Sequence, residues 1–262
     1  MDLQLDGRRA LVTGSHRGTG EVIARRLAEE GCEVVVHGFE PGQAEAVAEN
    51  IAGARAVTGD LMSDAGAEAV WAAANDGGAV SILVNNYGRA GRGSFEGSTT
   101  DDWHGMYEEN VLSAARLVRL ALPVMTAAGW GRIVNLGTIG STRPNSRNPH
   151  YYAAKGALAT MTVALAKEVA GTGITVNLVS PGLIHTAEVE AWLTERGRSK
   201  GWGESWAEIE PRAVAEEFPN PVGRFARREE VADLVCFLAS ERAAYVHGQN
   251  VRVDGGAVDI VS

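Results

Sequence analysis

The residues best suited to chemistry are Tyr151 and Lys155, in Tyr151-Tyr152-Ala153-Ala154-Lys155. Spaced i and i+4, they share one face of a helix. A phenol is a poor base at its free pKa of roughly 10, and an ammonium beside it favours the phenolate. Hydride addition to a ketone needs a proton donor at the forming alkoxide, and oxidation of the alcohol needs the same group as base. Taken alone, the pair also fits an amphipathic helix with a surface lysine, and Tyr152 is a competing phenol. A second segment, Thr13-Gly14-Ser15-His16-Arg17-Gly18-Thr19-Gly20, is a glycine-rich turn. Glycines there permit close backbone approach to a pyrophosphate, and a following helix N-terminus supplies free N–H groups and partial positive charge. Glycine is also ordinary in any turn from strand to helix.

Short apolar runs alternating with longer helical patterns position these groups. Strands are predicted at Arg8–Thr13, Glu33–His37, Arg55–Thr58, Val80–Val84, Arg132–Leu136 and Thr175–Val179. Helices are predicted from the glycine turn through Glu30, at Gln43–Ile51, at Ala65–Ala74, at Trp103–Ala128 and at Tyr151–Ala170. The strand runs are β-branched and lack period-two alternation, as in strands buried on both faces. Strict alternation of strand and helix implies parallel strands with right-handed crossovers. The expected fold is therefore α/β, a doubly wound Rossmann-type sheet with helices on both faces and a single domain over 1–262. One stretch breaks the rhythm: Leu183–Glu217 carries Trp192, Trp202 and Trp206 among charged residues and glycines. A long excursion of that kind is usually functional or mobile, so a substrate lid is expected over 183–217. Docking of lid helices on the body explains the tryptophans equally well.

The spacing Gly14-x-x-x-Gly18-x-Gly20 and the Tyr151-x-x-x-Lys155 motif resemble the short-chain dehydrogenase/reductase family, and the resemblance runs nearly the length of the chain. Asp60-Leu61, Asn85-Asn86-Tyr87-Gly88, Pro181-Gly182-Leu183-Ile184-His185-Thr186 and Gly248–Gly256 are similar to further family segments in the same order, as are Gly223-Arg224 and the helix Glu229–Ala239. The resemblance implies a seventh strand near the C-terminus and a nicotinamide cofactor. It places Asp60 and Leu61 at the adenine, Asn86 and Gly88 beside the cofactor, and Pro181, Gly182, Ile184 and Thr186 at the carboxamide. It makes Tyr151 the acid–base group in preference to Tyr152, which is expected to pack in a helix interface, and it brings both Tyr151 and Lys155 to the cofactor. Thr138 stands where the family has a serine thirteen residues before the tyrosine; the hydroxyl survives, with a methyl that narrows the carbonyl slot. Ser141 is a backup donor. Asn110 matches the family's helix asparagine, which holds a water in a relay toward the lysine; an exposed polar position is the alternative. Tyr87 departs from the family's small residue beside the nicotinamide ribose.

Cofactor choice turns on the end of the second strand, where an acid binds the ribose 2′-hydroxyl and repels a 2′-phosphate. That position is Gly38, so the NAD-selecting acid is missing, and His16 and Arg17 could supply charge to a phosphate. Phe39 follows where NADP-using relatives often carry arginine, and it could stack beside the adenine. NADP(H) is favoured, with NAD(H) as the alternative.

Composition sets the remaining bounds. Lys and Arg total 24 against 33 Asp and Glu, a net charge of −9, which argues against a nucleic-acid surface. Cys32 and Cys236 are too far apart in sequence for a CxxC site and read as buried residues in a reducing compartment. No histidine or acid falls at metal-ligand spacing, His150 included, and no metal is expected. The N-terminus lacks signal-peptide character and no apolar run approaches a membrane span, so no membrane partner and a cytoplasmic location are expected. Substrate recognition is expected in Leu183–Glu217, Arg143–His150 and Arg89–Phe95. Arg89 and Arg92 either meet an anionic substrate tail, such as a phosphopantetheine carrier, or are solvated loop charges. The leading reading is hydride exchange between NAD(P)(H) and a small ketone or secondary alcohol. The alternatives are a 3-oxoacyl-thioester reductase and a catalytically weakened cofactor-binding protein. A homo-oligomer, tetramer or dimer, is expected to form through Trp103–Ala128 and Tyr151–Ala170.

Overall fold

The computed structural model describes residues 1–260; the last two positions of the expected domain lie outside the described residues. Its strands are β1 (Arg9–Val12), β2 (Glu33–Gly38), β3 (Arg55–Thr58), β4 (Ile82–Asn85), β5 (Gly131–Leu136), β6 (Ile174–Pro181) and β7 (Asn250–Val253). They form one parallel sheet in the order β3-β2-β1-β4-β5-β6-β7. Leu11 stands opposite Val35 on one side and Leu83 on the other, so the β-branched and leucine runs line up across the sheet. β1, β4, β5 and β6 are buried along their whole length, which is why their sequences show no alternation.

Helices cover both faces. On one, α1 (Gly18–Glu29), α2 (Gln43–Ala48) and α9 (Arg228–Ala239) bring Ile23, Leu27, Val47, Val231 and Val235 against Val12 and Val36. On the other, α3 (Asp64–Ala74), α5 (Ser113–Ala128) and α6 (Pro149–Glu168) bring Val70, Leu117, Met125 and Leu165 against Leu11, Leu83 and Ile133. Strand order reverses between β1 and β4, and the crevice beyond their C-terminal ends is where open α/β sheets bind ligands.

Two stretches differ from the sequence expectation. The helix expected over Trp103–Ala128 is two helices, α4 (Thr100–Tyr107) and α5, joined by a π-helical turn at Glu108–Leu112. It starts earlier because Thr99 and Asp102 form a capping box, with Thr99 N–H on Asp102 Oδ2 at 2.8 Å and Asp102 N–H on Thr99 Oγ1 at 3.2 Å. The run Thr100–Ala128 has the length to cross a bilayer, and one 18-residue window within it reaches a mean hydropathy of 1.5. Its apolar face lies on the sheet, where Leu117, Ala121 and Met125 are buried. The excursion Leu183–Glu217 holds α7 (Ala187–Lys200) and α8 (Trp206–Glu216), which enclose a small core of their own. Leu193, Trp202, Ile209 and Val214 fill it together with Phe225. Of the three tryptophans, Trp202 therefore serves this local core, while Trp192 and Trp206 lie partly exposed at its edge.

Candidate active site

The turn after β1 keeps its shape because Gly14 takes φ of +62°, a left-handed conformation that side chains disfavour. A Cβ on Gly20, in the first turn of α1, would run into the Asn86 amide and the Gly14 carbonyl. Asn86 Nδ2 donates to Thr13 O at 2.8 Å and to Gly14 O at 3.3 Å, so it buttresses the turn. Arg17, the N-cap of α1, is extended and gives no side-chain cap. The first-turn N–H groups around Gly18 and Thr19 thus face the crevice without a side-chain acceptor, the arrangement a pyrophosphate uses. This cradle fits a dinucleotide.

His37 is a residue that sequence reasoning missed. It is fully buried on β2, accepts the Gly14 N–H on Nδ1 at 3.0 Å and faces Gly59 O through Nε2 at 3.1 Å. Those partners fix the Nε2–H tautomer, and burial pushes its pKa down to about 4. A neutral histidine thereby pins the glycine turn to β2 and to the exit of β3. At His16 burial, and then the neighbouring Arg17, lower the pKa, which makes Arg17 the stronger cation of the turn.

Phe39 and Tyr87 form an aromatic wall. Their ring centroids lie 4.5 Å apart, and Phe39 sits 4.9 Å from His37 and 6.1 Å from His16. The Tyr87 hydroxyl reaches Met62 Sδ at 3.7 Å, and burial raises that phenol to about 12. The large ring thus packs on the Phe39 side of the cleft. Asp60 accepts the Met62 N–H at 2.8 Å in the turn after β3. The side chain of Leu61, the residue after Asp60, is 1% exposed in the α3–α5 core, which leaves its backbone as the part that could meet a cofactor.

The end of β5 delivers Thr138, and α6 delivers Tyr151 and Lys155. Thr138 Oγ1 accepts the Gly140 N–H at 3.2 Å, while Ser141 Oγ is engaged with Thr138 O at 2.7 Å. Burial, reinforced by Tyr152, raises Tyr151 to about 12, and a hydrogen bond with Thr138 pulls the other way. Lys155 Nζ donates to Leu136 O at 2.8 Å, and burial lowers its pKa to about 8. Burial is the largest cause at both groups, and it outweighs any lowering of the phenol by the ammonium. At neutral pH Tyr151 is a neutral O–H, a proton donor in form.

Asn110 lies in the π turn and is buried, contrary to the exposed alternative. Its Nδ2 donates to Arg89 O at 3.1 Å and Met106 O at 3.0 Å, and its Oδ1 is buried with no protein partner. A Cβ on Gly88 would collide with that oxygen and come within 3.0 Å of Lys155 Nζ. Gly88, Asn110 and Lys155 thus converge on one point, where a water needs only the space that glycine leaves open. Behind them runs a buried chain the sequence does not advertise: Asn85 donates to Asn135 and Asn135 to Thr162, each at 2.8 Å.

The segment after β6 completes the rim. Gly182 N–H, just after Pro181, donates to Val253 O at 2.9 Å; Ile184 pairs with Ala226; Thr186 Oγ1 accepts the Val189 N–H and caps α7. His185 stacks on Trp206 with centroids 4.5 Å apart and rings 7° from parallel, and its Nε2 meets Glu190 at 2.8 Å. Both helices of the excursion therefore brace this segment. Arg89 is paired with Glu109 through two contacts of 3.0 and 2.8 Å. Tyr152 faces the cleft loops rather than a helix interface, with its hydroxyl accepting from Asn145 Nδ2 at 2.9 Å. Among the described residues no group of three or more His, Cys, Asp or Glu side chains is placed to hold a metal.

Comparison with known proteins places the chain in a family. Residues 14–258 match the family model described as enoyl-(acyl carrier protein) reductase. The 3-oxoacyl-[acyl-carrier-protein] reductase FabG of Pseudomonas aeruginosa is 35% identical over 259 residues, 97% of this chain and 98% of the relative. Among solved structures, the L-sorbose reductase of Gluconobacter frateurii, complexed with NADPH and L-sorbose, is 31% identical with a TM-score of 0.92, and all of both chains is covered. A gluconate 5-dehydrogenase of Burkholderia cenocepacia, in complex with NADP and tartrate, is 30% identical with a TM-score of 0.85, covering 99% of this chain and 98% of that one. The chain belongs to the short-chain dehydrogenase/reductase family, and its chemistry is oxidoreduction at CH–OH and C=O groups.

Proposed function

We propose that the protein reduces a small ketone with NADPH, and oxidises the corresponding secondary alcohol with NADP+, with Tyr151 exchanging the proton. The observation that carries this reading is the Tyr151 phenol, half-buried near the start of α6, one helical turn before the buried Lys155 amine and with the Thr138 hydroxyl near enough to lower its pKa. Bound in that crevice, the nicotinamide supplies or accepts the hydride. Thr138 and Tyr151 hold the carbonyl oxygen between two hydroxyls, and Tyr151 passes its proton to that oxygen as charge develops on it. Lys155 and the free Oδ1 of Asn110 flank the pocket from which a water refills the phenol.

The choice of NADP(H) is supported by the neighbours named above and by the end of β2. A Cβ on Gly38 would come within 2.9 Å of Gln43 and 3.0 Å of the Ala44 nitrogen, so the acid that selects NAD has no place at that position. Arg17 is the cation available to a 2′-phosphate. The thioester reading loses one of its two anchors, because Arg89 is held by Glu109. The hydroxyl kept at Thr138, close enough to Tyr151 to lower its pKa, favours an active enzyme over a weakened binding protein. In this reading the α7–α8 pair acts as a lid over the substrate.

The test is a ketone and alcohol panel run with NADPH and NADH on wild-type protein and Tyr151→Phe. Turnover should favour NADPH and fall at least about 100-fold in the variant, while the Kd for NADPH stays within about twofold. Wild-type protein that binds NADPH yet turns over no carbonyl would refute the assignment, and equal rates with the two reductants would refute the cofactor choice.

A further inference from the structure

We infer that Arg92 and Arg147 form an oxyanion subsite for the end of the substrate remote from its ketone, so that the physiological substrate is a hydroxylated ketone carrying a carboxylate or a phosphate ester. The inference rests on the ketone-reductase reading of Tyr151. A cavity of about 650 Å³ opens between the loops after β4 and β5 and the helical excursion, with Tyr152 and Trp192 in its wall. Three arginines and no acid line it, in a chain whose net charge is −9. One of the three, Arg196, is already matched: its Nε lies 2.9 and 2.8 Å from the two oxygens of Glu217. Arg92 and Arg147 take part in no ion pair among the described residues, whereas Arg89 and Arg143 nearby are paired with Glu109 and Asp259.

The loops that carry these two arginines are joined through the backbone, and both residues line the same cavity. Gly93 N–H donates to Arg147 O at 3.0 Å, which stitches the loop after β4 to the loop before α6. Arg147 N–H in turn donates to Asn145 Oδ1 at 2.9 Å, and Asn145 Nδ2 donates to Tyr152 Oη at 2.9 Å. The Tyr152 ring lies 5.5 Å from that of Tyr151, so the hydrogen-bonded path from the Arg147 backbone ends beside the acid–base phenol. From the excursion, Trp192 faces Arg92, with the guanidinium carbon 5.7 Å from the ring centroid.

Two like charges that line one cavity, neither of them in an ion pair, repel each other, and an oxyanion removes that cost. The planar guanidinium fork matches both carboxylate and phosphate. Asn145 and the hydroxyls of Ser94 and Ser146, in the same wall, suit a hydroxylated chain between the anion and the ketone. An overall acidic surface makes the pocket a local electrostatic sink, so binding there should weaken with salt.

The experiment compares NADPH-dependent rates within matched sets: acetoacetate against methyl acetoacetate, and 5-keto-D-gluconate and D-fructose 6-phosphate against L-sorbose. The anionic member should lead its neutral partner in kcat/KM by about tenfold or more, chiefly through KM, and the lead should shrink as salt rises from about 0.05 to about 0.3 M. In the double variant Arg92→Gln, Arg147→Gln the ratio should fall toward one. The larger preference, carboxylate or phosphate, identifies the anion. Equal kcat/KM for charged and neutral partners in wild-type protein overturns the subsite and leaves the reductase reading intact. If no ketone in either set is reduced, the reductase reading is at fault, and calorimetry with D-gluconate and inorganic phosphate on NADP+-loaded protein decides the subsite. Heat of binding that disappears in the double variant supports it; no heat from wild-type protein overturns it.

Discussion

Lys155 shows how this site trades stability for chemistry. Its ammonium is buried, and burial lowers its pKa from 10.5 to about 8. A base with a depressed pKa binds fewer protons when folded than when unfolded between about pH 8 and 10.5, so stability rises with pH across that window. Below pH 8 the full cost of burying the charge is present, about 3 kcal/mol for a depression of that size. Loss of the hydrogen bond to Leu136 offsets about 1 kcal/mol of any gain on removing the amine. Lys155→Met should therefore abolish turnover yet raise Tm by a few degrees at pH 7, with the gain gone by pH 10. A lower Tm at pH 7 in thermal melts would show that the lysine holds the fold together. At this scale the sequence is readable where spacing carries meaning: Tyr151 and Lys155 follow from one helical turn. His37 has no such signature, since a histidine inside an apolar strand run looks the same whether it is solvated or pins a glycine turn. Nor does residue type foretell that burial neutralises His16 or that Leu61 turns into the core, because both depend on what packs above them.

At the scale of elements, the strands and helices are legible because burial on both sheet faces leaves a plain mark on composition. The π turn at Glu108–Leu112 is not, since one extra residue in a helical turn leaves the apolar periodicity on either side intact. The two helices of the excursion are hidden for a different reason. They bury against each other around Trp202 and Ile209 rather than against the sheet, so charged residues such as Arg196 and Glu217 interleave with the apolar ones. The π turn has a consequence for Asn110. Widening the helix there lets its amide bond both Met106 O and Arg89 O while Oδ1 stays free beside Lys155. Asn110→Ala should lower kcat by about 10- to 100-fold with little change in the Kd for NADPH. Its far-ultraviolet spectrum should match wild type. Loss of cofactor affinity in step with kcat would assign Asn110 to holding the loop after β4 instead of to proton supply.

At the scale of the whole molecule, chemistry and stability sit at opposite ends of the sheet. Near the strand N-termini, the guanidinium groups of Arg8 and Arg132 both lie over the Trp130 ring, 3.7 and 4.3 Å from its centroid. Arg132 is 2% exposed and donates to Ser240 O, Gly173 O and Glu241, which ties β5 to the end of α9. Removing it strands those acceptors, so Arg132→Ala should cost about 3 kcal/mol by denaturant unfolding while kcat of the folded fraction is unchanged. A parallel loss of kcat would mean that the two ends are coupled. The outer surface poses the remaining question. Tyr107, Leu112 and Val163 are exposed apolar residues on α4, the π turn and α6, and a shallow groove between α5 and α6 is lined by Val118, Leu122 and Met161. Exposed apolar residues on α4, the π turn and α6 suit a second copy of the chain, which needs about 800 Å² per partner for a stable contact. Wild-type protein should sediment as a dimer or tetramer. Val163→Glu, which buries a carboxylate in that contact, should shift the distribution toward smaller species without unfolding the subunit. A monomeric wild type at micromolar concentration would leave those side chains as ordinary surface, and the sheet would stand on its own.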